Sequence, residues 1–291
     1  MNVRYAQSLV LDGVSFQLKE RHDFKWLNDF GEVFCVFDKQ DSGNISFGVQ
    51  KGNVKSLIKY AGAQTINYAG DPKEAIKKLK NAKVVYKELE HPYLVKLIDH
   101  LELREGFVLV FEWFDGLNIQ KNVELNSACH RFKELPLELR LQSLSTIFEF
   151  HVHVEKNNYV AIDFYDGSIL YDFKQNITKI CDVDLYQVKP FYNQIGRLWG
   201  SSRFMSLEEF TLASEIDGRS NVFNMGAMAF ALVGGTLDRS SDTWEAGREL
   251  YQVAKKAVEK NRNNRYASVI DFYTEWKFYV KEYGTYPPEK V

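Results

Sequence analysis

The chain has 291 residues, 45% apolar and 26% charged, with a net charge of −2; that suffices for one large domain or two lobes with separate cores, and it offers no electrostatic reason to expect nucleic acid or a membrane as partner. No apolar run reaches the roughly 18 residues of a membrane span, and residues 1–21 lack the basic-then-apolar order of a secretory signal, so a cytoplasmic location is expected. Cys35, Cys129 and Cys181 are odd in number and have no CxxC spacing, which argues against a disulfide framework or a zinc site.

Residues 24–46 are predicted as strand, turn, strand, the alternation breaking at Asp38-Lys-Gln-Asp-Ser-Gly43. After a second turn at Gly52-Asn53, a strand over 54–60 places Lys59 between apolar neighbours. A lysine in such a strand is ordinarily a solvated face residue. From Asp71-Pro72, the residues Ala75, Ile76, Leu79, Ala82, Val85 and Leu89 recur at helical spacing as far as His91-Pro92. Strands over 94–103 and 106–111 follow, and the second runs into Glu112-Trp-Phe-Asp-Gly116.

Beyond Gly116 the pattern turns helical. Residues 118–132 are polar and without a clear period, whereas 136–156 form a predicted helix with Leu137, Leu141, Leu144, Ile147, Phe148 and Val152 on its buried stripe. His151 and His153 lie two apart on it, cannot chelate one metal, and are read as packing or surface residues. Residues 187–209 are aromatic but aperiodic and read as a long functional loop. Residues 221–233 are apolar nearly all round, as in a helix at the centre of its lobe; 241–260 and 268–283 are amphipathic, and the Pro287-Pro288 tail is expected to fray.

The stretch with chemistry in it is Tyr159-Val-Ala-Ile-Asp-Phe-Tyr-Asp-Gly-Ser-Ile-Leu-Tyr-Asp172 with its sequel Lys179-Ile-Cys-Asp-Val-Asp-Leu185. Asp163 and Asp182 stand nineteen positions apart with a predicted hairpin, 171–180, between them. That spacing suits a phosphotransferase, in which one carboxylate sits beside the attacking hydroxyl and the other holds a magnesium ion on nucleotide phosphates. An exposed hairpin with solvated aspartates has the same spacing.

Taken in order, these pieces resemble the eukaryotic-type protein kinase family. Phe30-Gly31-Glu-Val33 is similar to the end of the glycine-rich loop, Lys59 to the phosphate-pairing lysine, and His91-Pro-Tyr-Leu-Val95 to the turn after the regulatory helix. Phe111-Glu-Trp-Phe114 resembles a gatekeeper and hinge. Ala161-Ile-Asp163 stands where the family has His-Arg-Asp, and Asp182-Val-Asp184 where it has Asp-Phe-Gly. Gly200 to Glu209 resembles the substrate-facing loop, with Glu208 and Arg265 matching an ion pair of the family.

The resemblance implies an α+β, bilobal kinase-like fold, with an antiparallel-sheet lobe carrying one helix over 1–114 and a mainly helical lobe over 115–291. It implies ATP and Mg²⁺ as cofactors, with Asp163 and Lys59 as catalytic residues. Gly31, Val33, Lys59, Glu112, Phe114 and Ser168 would contact nucleotide, and Asp182, Ser168 and Asp184 the metal. Asp184 reads equally as a solvated turn residue, and Asp166 reads as a plain Asp-Gly turn or as a substitute for the family's metal-binding asparagine. The departures fall on catalytic positions: Ala82 where a lysine-pairing glutamate is expected, Tyr165 for a lysine, Ser168 for that asparagine, and Gly31 alone of the loop glycines. The acceptor is expected to be a protein Ser or Thr hydroxyl, the alternatives being a small-molecule, aminoglycoside-type kinase or a pseudokinase acting as a nucleotide- or partner-binding scaffold.

Overall fold

A computed structural model describes residues 6–122 and 124–283. The fold is α+β, with six α-helices and several antiparallel sheets among the described residues. The chain divides into two compact units: one runs to Glu90 and takes in Val95–Phe114, and the other takes in His91–Leu94 and everything described from Asp115 on.

The first unit opens with a hairpin, β1 (Gln7–Leu11) and β2 (Val14–Leu18). Its turn, Asp12-Gly13, has φ of 49° and 84°, the positive pair that an Asp-Gly two-residue hairpin loop requires. After a short 3-10 turn, Lys25–Asp29, come β3 (Glu32–Phe37), β4 (Asn44–Lys51) and β5 (Val54–Ala61), then helix α1 (Pro72–Glu88), β6 (Leu97–Leu103) and β7 (Gly106–Glu112). The five later strands form one antiparallel sheet in the order β3-β4-β5-β7-β6. Strand alternation sorts its two faces. Ile45, Phe47, Val49, Ile58, Tyr60, Val108 and Val110 join Phe16 and Phe24 in a buried cluster on one face. The other face carries Leu57, Lys59, Leu109 and Phe111, in register across β5 and β7. Helix α1 covers that side, its Tyr86 ring 4.8 Å from Phe111, and its start is capped by the Asp71 carboxylate accepting the Lys73 amide at 2.8 Å.

In the second unit β8 (Leu117–Asn118) precedes α2 (Ala128–Lys133) and the long α3 (Leu137–Lys156). Helix α3 buries Leu141, Leu144, Ile147, Phe148, His151 and Val154. The stripe passes through His151 and Val154 rather than Val152, since a period of about 3.6 from Leu144 and Phe148 lands there. Then follow β9 (Tyr159–Val160), β10 (Ile169–Asp172), β11 (Ile177–Ile180), β12 (Gln187–Val188), β13 (Phe191–Tyr192) and β14 (Glu215–Ile216). Helices α4 (Gly218–Val233), α5 (Gly247–Ala257) and α6 (Val269–Tyr283) complete the unit. Every residue of α4 from Ser220 to Val233 is buried, with α3, α5 and α6 packed against it. The helix expected from 241 starts instead at Gly247. Residues Ser241–Thr243 form a 3-10 turn, and the buried Trp244 donates its indole N–H to the Gly247 carbonyl at 2.9 Å, turning the chain before the helix begins. The Pro287-Pro288 tail lies outside the described residues.

Candidate functional site

In the first unit Lys59 is buried, at 7% exposure, on the α1 side of the sheet. That removes the ordinary reading of a solvated strand lysine, because an ammonium is withdrawn from water only where something compensates it. Register places Lys59 opposite Ser46 of β4, which in turn faces Phe37 at the end of β3. The turn closing that end of the sheet is 38–43. Gly31 and Val33 lie at the opposite end, where Val33 pairs with Val49, so neither belongs to the turn joining the first two strands of the sheet. The expectation that this stretch ends a nucleotide loop is corrected by a plainer role. Gly31 has φ of 120°, and a Cβ there would overlap the Gln50 carbonyl; glycine lets β3 start against β4. Glu112 ends β7 and donates its amide to the Lys96 carbonyl at 2.9 Å, while Trp113 sets its ring 4.8 Å from Phe34. Phe114 is the last residue of the unit.

Asp163, Ser168, Asp182 and Asp184 belong to the second unit, and the hairpin brings Ser168 level with the residue before Asp182. Strands β10 and β11 pair Ile169 with Ile180, and the ladder continues one step as the Cys181 amide donates to the Ser168 carbonyl at 2.8 Å. Ser168 therefore stands beside the residue preceding Asp182. Its hydroxyl oxygen is buried and meets no hydrogen-bond partner. Asp163 and Asp182 both hold left-handed backbone, with φ of 64° and 58°. For a residue with a Cβ that is uncommon, and such positions collect where a function needs them. Residues 182–184 are not a strand, so no strand face aligns Asp182 with Asp184; Asp182 is exposed and Asp184 half-buried in a turn.

The same unit holds a buried pair, His151 and Tyr186, that the sequence reading missed. His151 Nδ1 lies 2.7 Å from the Ile147 carbonyl, which can only accept, so Nδ1 carries the hydrogen. Burial pushes the imidazole down to about 4, so it is neutral and its Nε2 accepts the Tyr186 hydroxyl at 2.9 Å. Burial first, and then the charges of Asp182 and Asp163, hold the Tyr186 phenol far above its usual range. The phenol thus stays protonated and spends its proton on His151. Both charges act on this phenol in the same direction.

The 200–209 segment is fastened at both ends. Gly200, with φ of 121°, lies so near Asp163 that a Cβ would come within 3.3 Å of the carboxylate oxygen. Asp166 is neither a plain turn residue nor an available ligand: it is buried, accepts two hydrogen bonds from Arg203 at 2.8 Å each, and takes the Lys121 amide at 3.1 Å. At the far end Arg265 donates to the two oxygens of Glu208 at 2.6 and 3.3 Å, and Ser220 donates to the same carboxylate at 2.9 Å. Burial works to raise the Glu208 carboxyl, but Arg265 and Ser220 outweigh it and the net shift is downward. Glu209, fully enclosed, is pushed up to about 7 by burial despite bonds from Ser206 and Asn224. Asn224 also receives the Asn221 amide at 3.1 Å, and Asn221 brackets Ala161 by accepting its N–H and donating to its carbonyl, both at 2.9 Å. A buried polar chain thus runs from Glu209 to within two residues of Asp163.

Among the described residues no three His, Cys, Asp or Glu side chains converge as a metal cage. Magnesium needs no such cage, since it keeps several waters and takes one or two carboxylates. The donor set here, an exposed Asp182 carboxylate with the orphaned Ser168 hydroxyl beside the same ladder step, fits that chemistry.

No family model matches the chain. Among curated proteins it is similar to Cysteine-rich receptor-like protein kinase 5 of Arabidopsis thaliana, with 24% identity over 226 residues, which is 75% of this chain and 33% of that protein. The chain thus spans about a third of the relative's length, and the likeness is a distant one to a kinase.

Proposed function

We propose that this chain is an ATP- and magnesium-dependent phosphotransferase with a bilobal, protein-kinase-like fold, acting on a Ser or Thr hydroxyl of a protein. Lys59 neutralises the α- and β-phosphates, with the 38–43 turn rather than Gly31 covering them. Asp182, assisted by Ser168 and Asp184, would hold the metal; Asp163 would orient the acceptor hydroxyl and take its proton as the oxygen bonds the γ-phosphorus and the bond from that phosphorus to the β-phosphate oxygen breaks, releasing ADP. When bound, magnesium would supply neutralising charge to the nucleotide's phosphates. The observation that carries this reading is the left-handed backbone at both Asp163 and Asp182, which precede and follow one hairpin. The buried Lys59 and the distant kinase likeness support it. Tyr165, in place of a cation near the transferred group, makes a slow enzyme the expectation.

A second reading, a nucleotide-binding scaffold without turnover, is favoured by Ala82. This residue is fully buried on α1, where it brings no carboxylate to Lys59.

Thermal unfolding with and without Mg-ATP tests binding, and transfer from labelled ATP tests turnover. At one hundred times its dissociation constant Mg-ATP stabilises the fold by about 2.7 kcal/mol. Lys59→Ala abolishes that shift; Asp182→Asn weakens binding of Mg-ATP more than of ATP in EDTA. Asp163→Asn binds normally, yet transfers phosphate to a generic protein acceptor about 10² to 10⁴ times more slowly. Equal inertness of wild type and the Asp163 variant, with binding intact, leaves the scaffold reading; transfer to aminoglycosides alone moves the acceptor to small molecules.

A further inference from the structure

Gly48 lies in the interior of β4, where a glycine weakens a strand and marks a place at which something comes close to its bare backbone. It pairs with Leu57 of β5, and strand alternation puts it on the face that carries Leu57 and Lys59. What comes close is the ring of Phe34. A Cβ added at Gly48 would meet two ring atoms of Phe34 at 2.7 and 2.9 Å and the Cys35 sulfur at 2.5 Å. Phe34 is the extra residue of a bulge, since the register of β3 against β4 steps from Val33–Val49 to Cys35–Gly48 and passes it over. A bulge re-aims side chains, and this one turns two neighbours, Phe34 and Cys35, toward Gly48 where plain alternation would send one of them to the core.

Two further groups hold the ring. Trp113 meets it edge-on, with centres 4.8 Å apart and planes at 76°, and the Lys55 ammonium stands 5.5 Å from its centre. The ring remains 37% exposed, while Gly48 beneath it is buried. Phe34 is therefore a cover over bare strand backbone, and all five residues belong to the first unit.

The cover adjoins the candidate phosphate lysine. Gly48 and Lys59 are diagonal neighbours across β4 and β5, a step of about 7–8 Å in a sheet. With the phosphates at Lys59 under the 38–43 turn, the base of a nucleotide falls on the other side of Lys59, over Leu57 and Gly48, because α1 closes the face further across at Phe111. That is the space the Phe34 ring fills. A ring that merely stacked on the base would stand beside this space, not in it.

We propose that Phe34 is a gate: its ring, seated on Gly48 and held by Trp113 and Lys55, keeps the nucleotide base off this face and must swing out before the base can lie there. The seat of the ring rests on the contacts described; the identity of the excluded ligand rests on the phosphotransferase reading. A nucleotide then binds only the fraction of molecules with the ring out, and its apparent affinity is reduced by that fraction.

The test is isothermal titration of the full chain with Mg-ATP, wild type against Phe34→Ala, with alkylation of Cys35 followed by mass spectrometry on the same proteins and the other free cysteines, Cys129 and Cys181, as internal references. Phe34→Ala is expected to bind Mg-ATP about tenfold more tightly, once the hold of an aromatic pair and an exposed cation–π contact is gone, and to be alkylated faster at Cys35. Trp113→Leu keeps the ring but removes its edge partner, and is expected to tighten binding by about threefold. Should Phe34→Ala fail to fold by circular dichroism, Trp113→Leu carries the test. Mg-ATP bound by Phe34→Ala no more tightly than by wild type overturns the gate and leaves the phosphotransferase reading standing; weaker binding makes Phe34 a stacking surface instead. Alkylation of Cys35 no faster in Phe34→Ala overturns the cover itself. No Mg-ATP binding by any of the three proteins overturns the phosphotransferase reading, and the exclusion of a nucleotide with it.

Discussion

Glu208 and Glu209 sit in a 3-10 turn, Leu207–Phe210, whose Ser206 and Glu209 exchange the two bonds of a capping box, and each carboxylate accepts from several donors inside the chain. Asp163 and Asp182 belong to the same unit and the same polar neighbourhood, yet their backbones stand in the left-handed region, and Asp182 is exposed. The first pair is complete within the fold and holds the 200–209 segment down. The second is kept in a conformation that costs stability, of the order of 1 kcal/mol for each residue. Substitutions should therefore act in opposite directions at the two pairs.

The largest effect is expected at the Glu208–Arg265 pair. With Arg265 enclosed and giving hydrogen bonds to the Glu259, Lys260 and Arg219 carbonyls as well as to Glu208, Arg265→Ala strands a buried carboxylate. Loss of about 3–5 kcal/mol in urea unfolding is expected. A loss no larger than that of an exposed neighbour such as Arg248→Ala would mean the pair contributes little.

A second effect divides the two regions by pH. Glu209 is raised to about 7 in the fold, so between its unfolded value near 4.5 and pH 7 the native state binds more protons, and stability falls as pH rises. His151, lowered from 6.5 to about 4, does the reverse: the unfolded state binds more protons across that window, and stability is lost as pH falls through it. Each amounts to about 3 kcal/mol at 1.36 kcal/mol per unit, so over roughly pH 4.5–6.5 the two largely cancel. Glu209→Gln should leave a variant that gains stability, relative to wild type, as pH rises through this window; His151→Phe should show the opposite relative slope. Wild-type pH dependence retained in both variants would sink the assignment of either shift.

The architecture was readable where periodicity was strong: the five strands of the large sheet, α1, α3 and the buried α4 all follow from alternation or a 3.6 repeat. The N-terminal hairpin was overlooked although Leu11-Asp12-Gly13-Val14 carries its turn signal, because the flanking strands are only five residues each. Gly31 was read as part of a nucleotide loop because a glycine motif does not say which end of a strand it occupies; the register of Val33 with Val49 does. The polar contacts were out of reach for a different reason. His151 with Tyr186, Asp166 with Arg203, and Arg239 with the Arg203 carbonyl join residues 35, 37 and 36 positions apart, and no local pattern pairs them.

The smallest effect bears most directly on the comparison. At a left-handed position an alanine suffers the Cβ clash with the following carbonyl and a glycine does not, so Asp163→Gly should be more stable than Asp163→Ala by about 1 kcal/mol, and likewise at Asp182. Glycine loses more chain entropy on folding, roughly 0.5–1 kcal/mol against alanine in ordinary backbone, so the sign of the difference is itself diagnostic. Where φ is negative alanine wins; where it is near 60° glycine wins. The same four proteins, measured with Mg-ATP, separate strain from function: both Asp182 variants should lose most of the nucleotide-dependent stabilisation whichever residue is introduced, while both Asp163 variants keep it. An alanine at either position as stable as the glycine would mean that the backbone relaxes freely there. The aspartates would then be ordinary turn residues, and the contrast with Glu208 and Glu209 would dissolve into two sets of surface and buried acids without a common design.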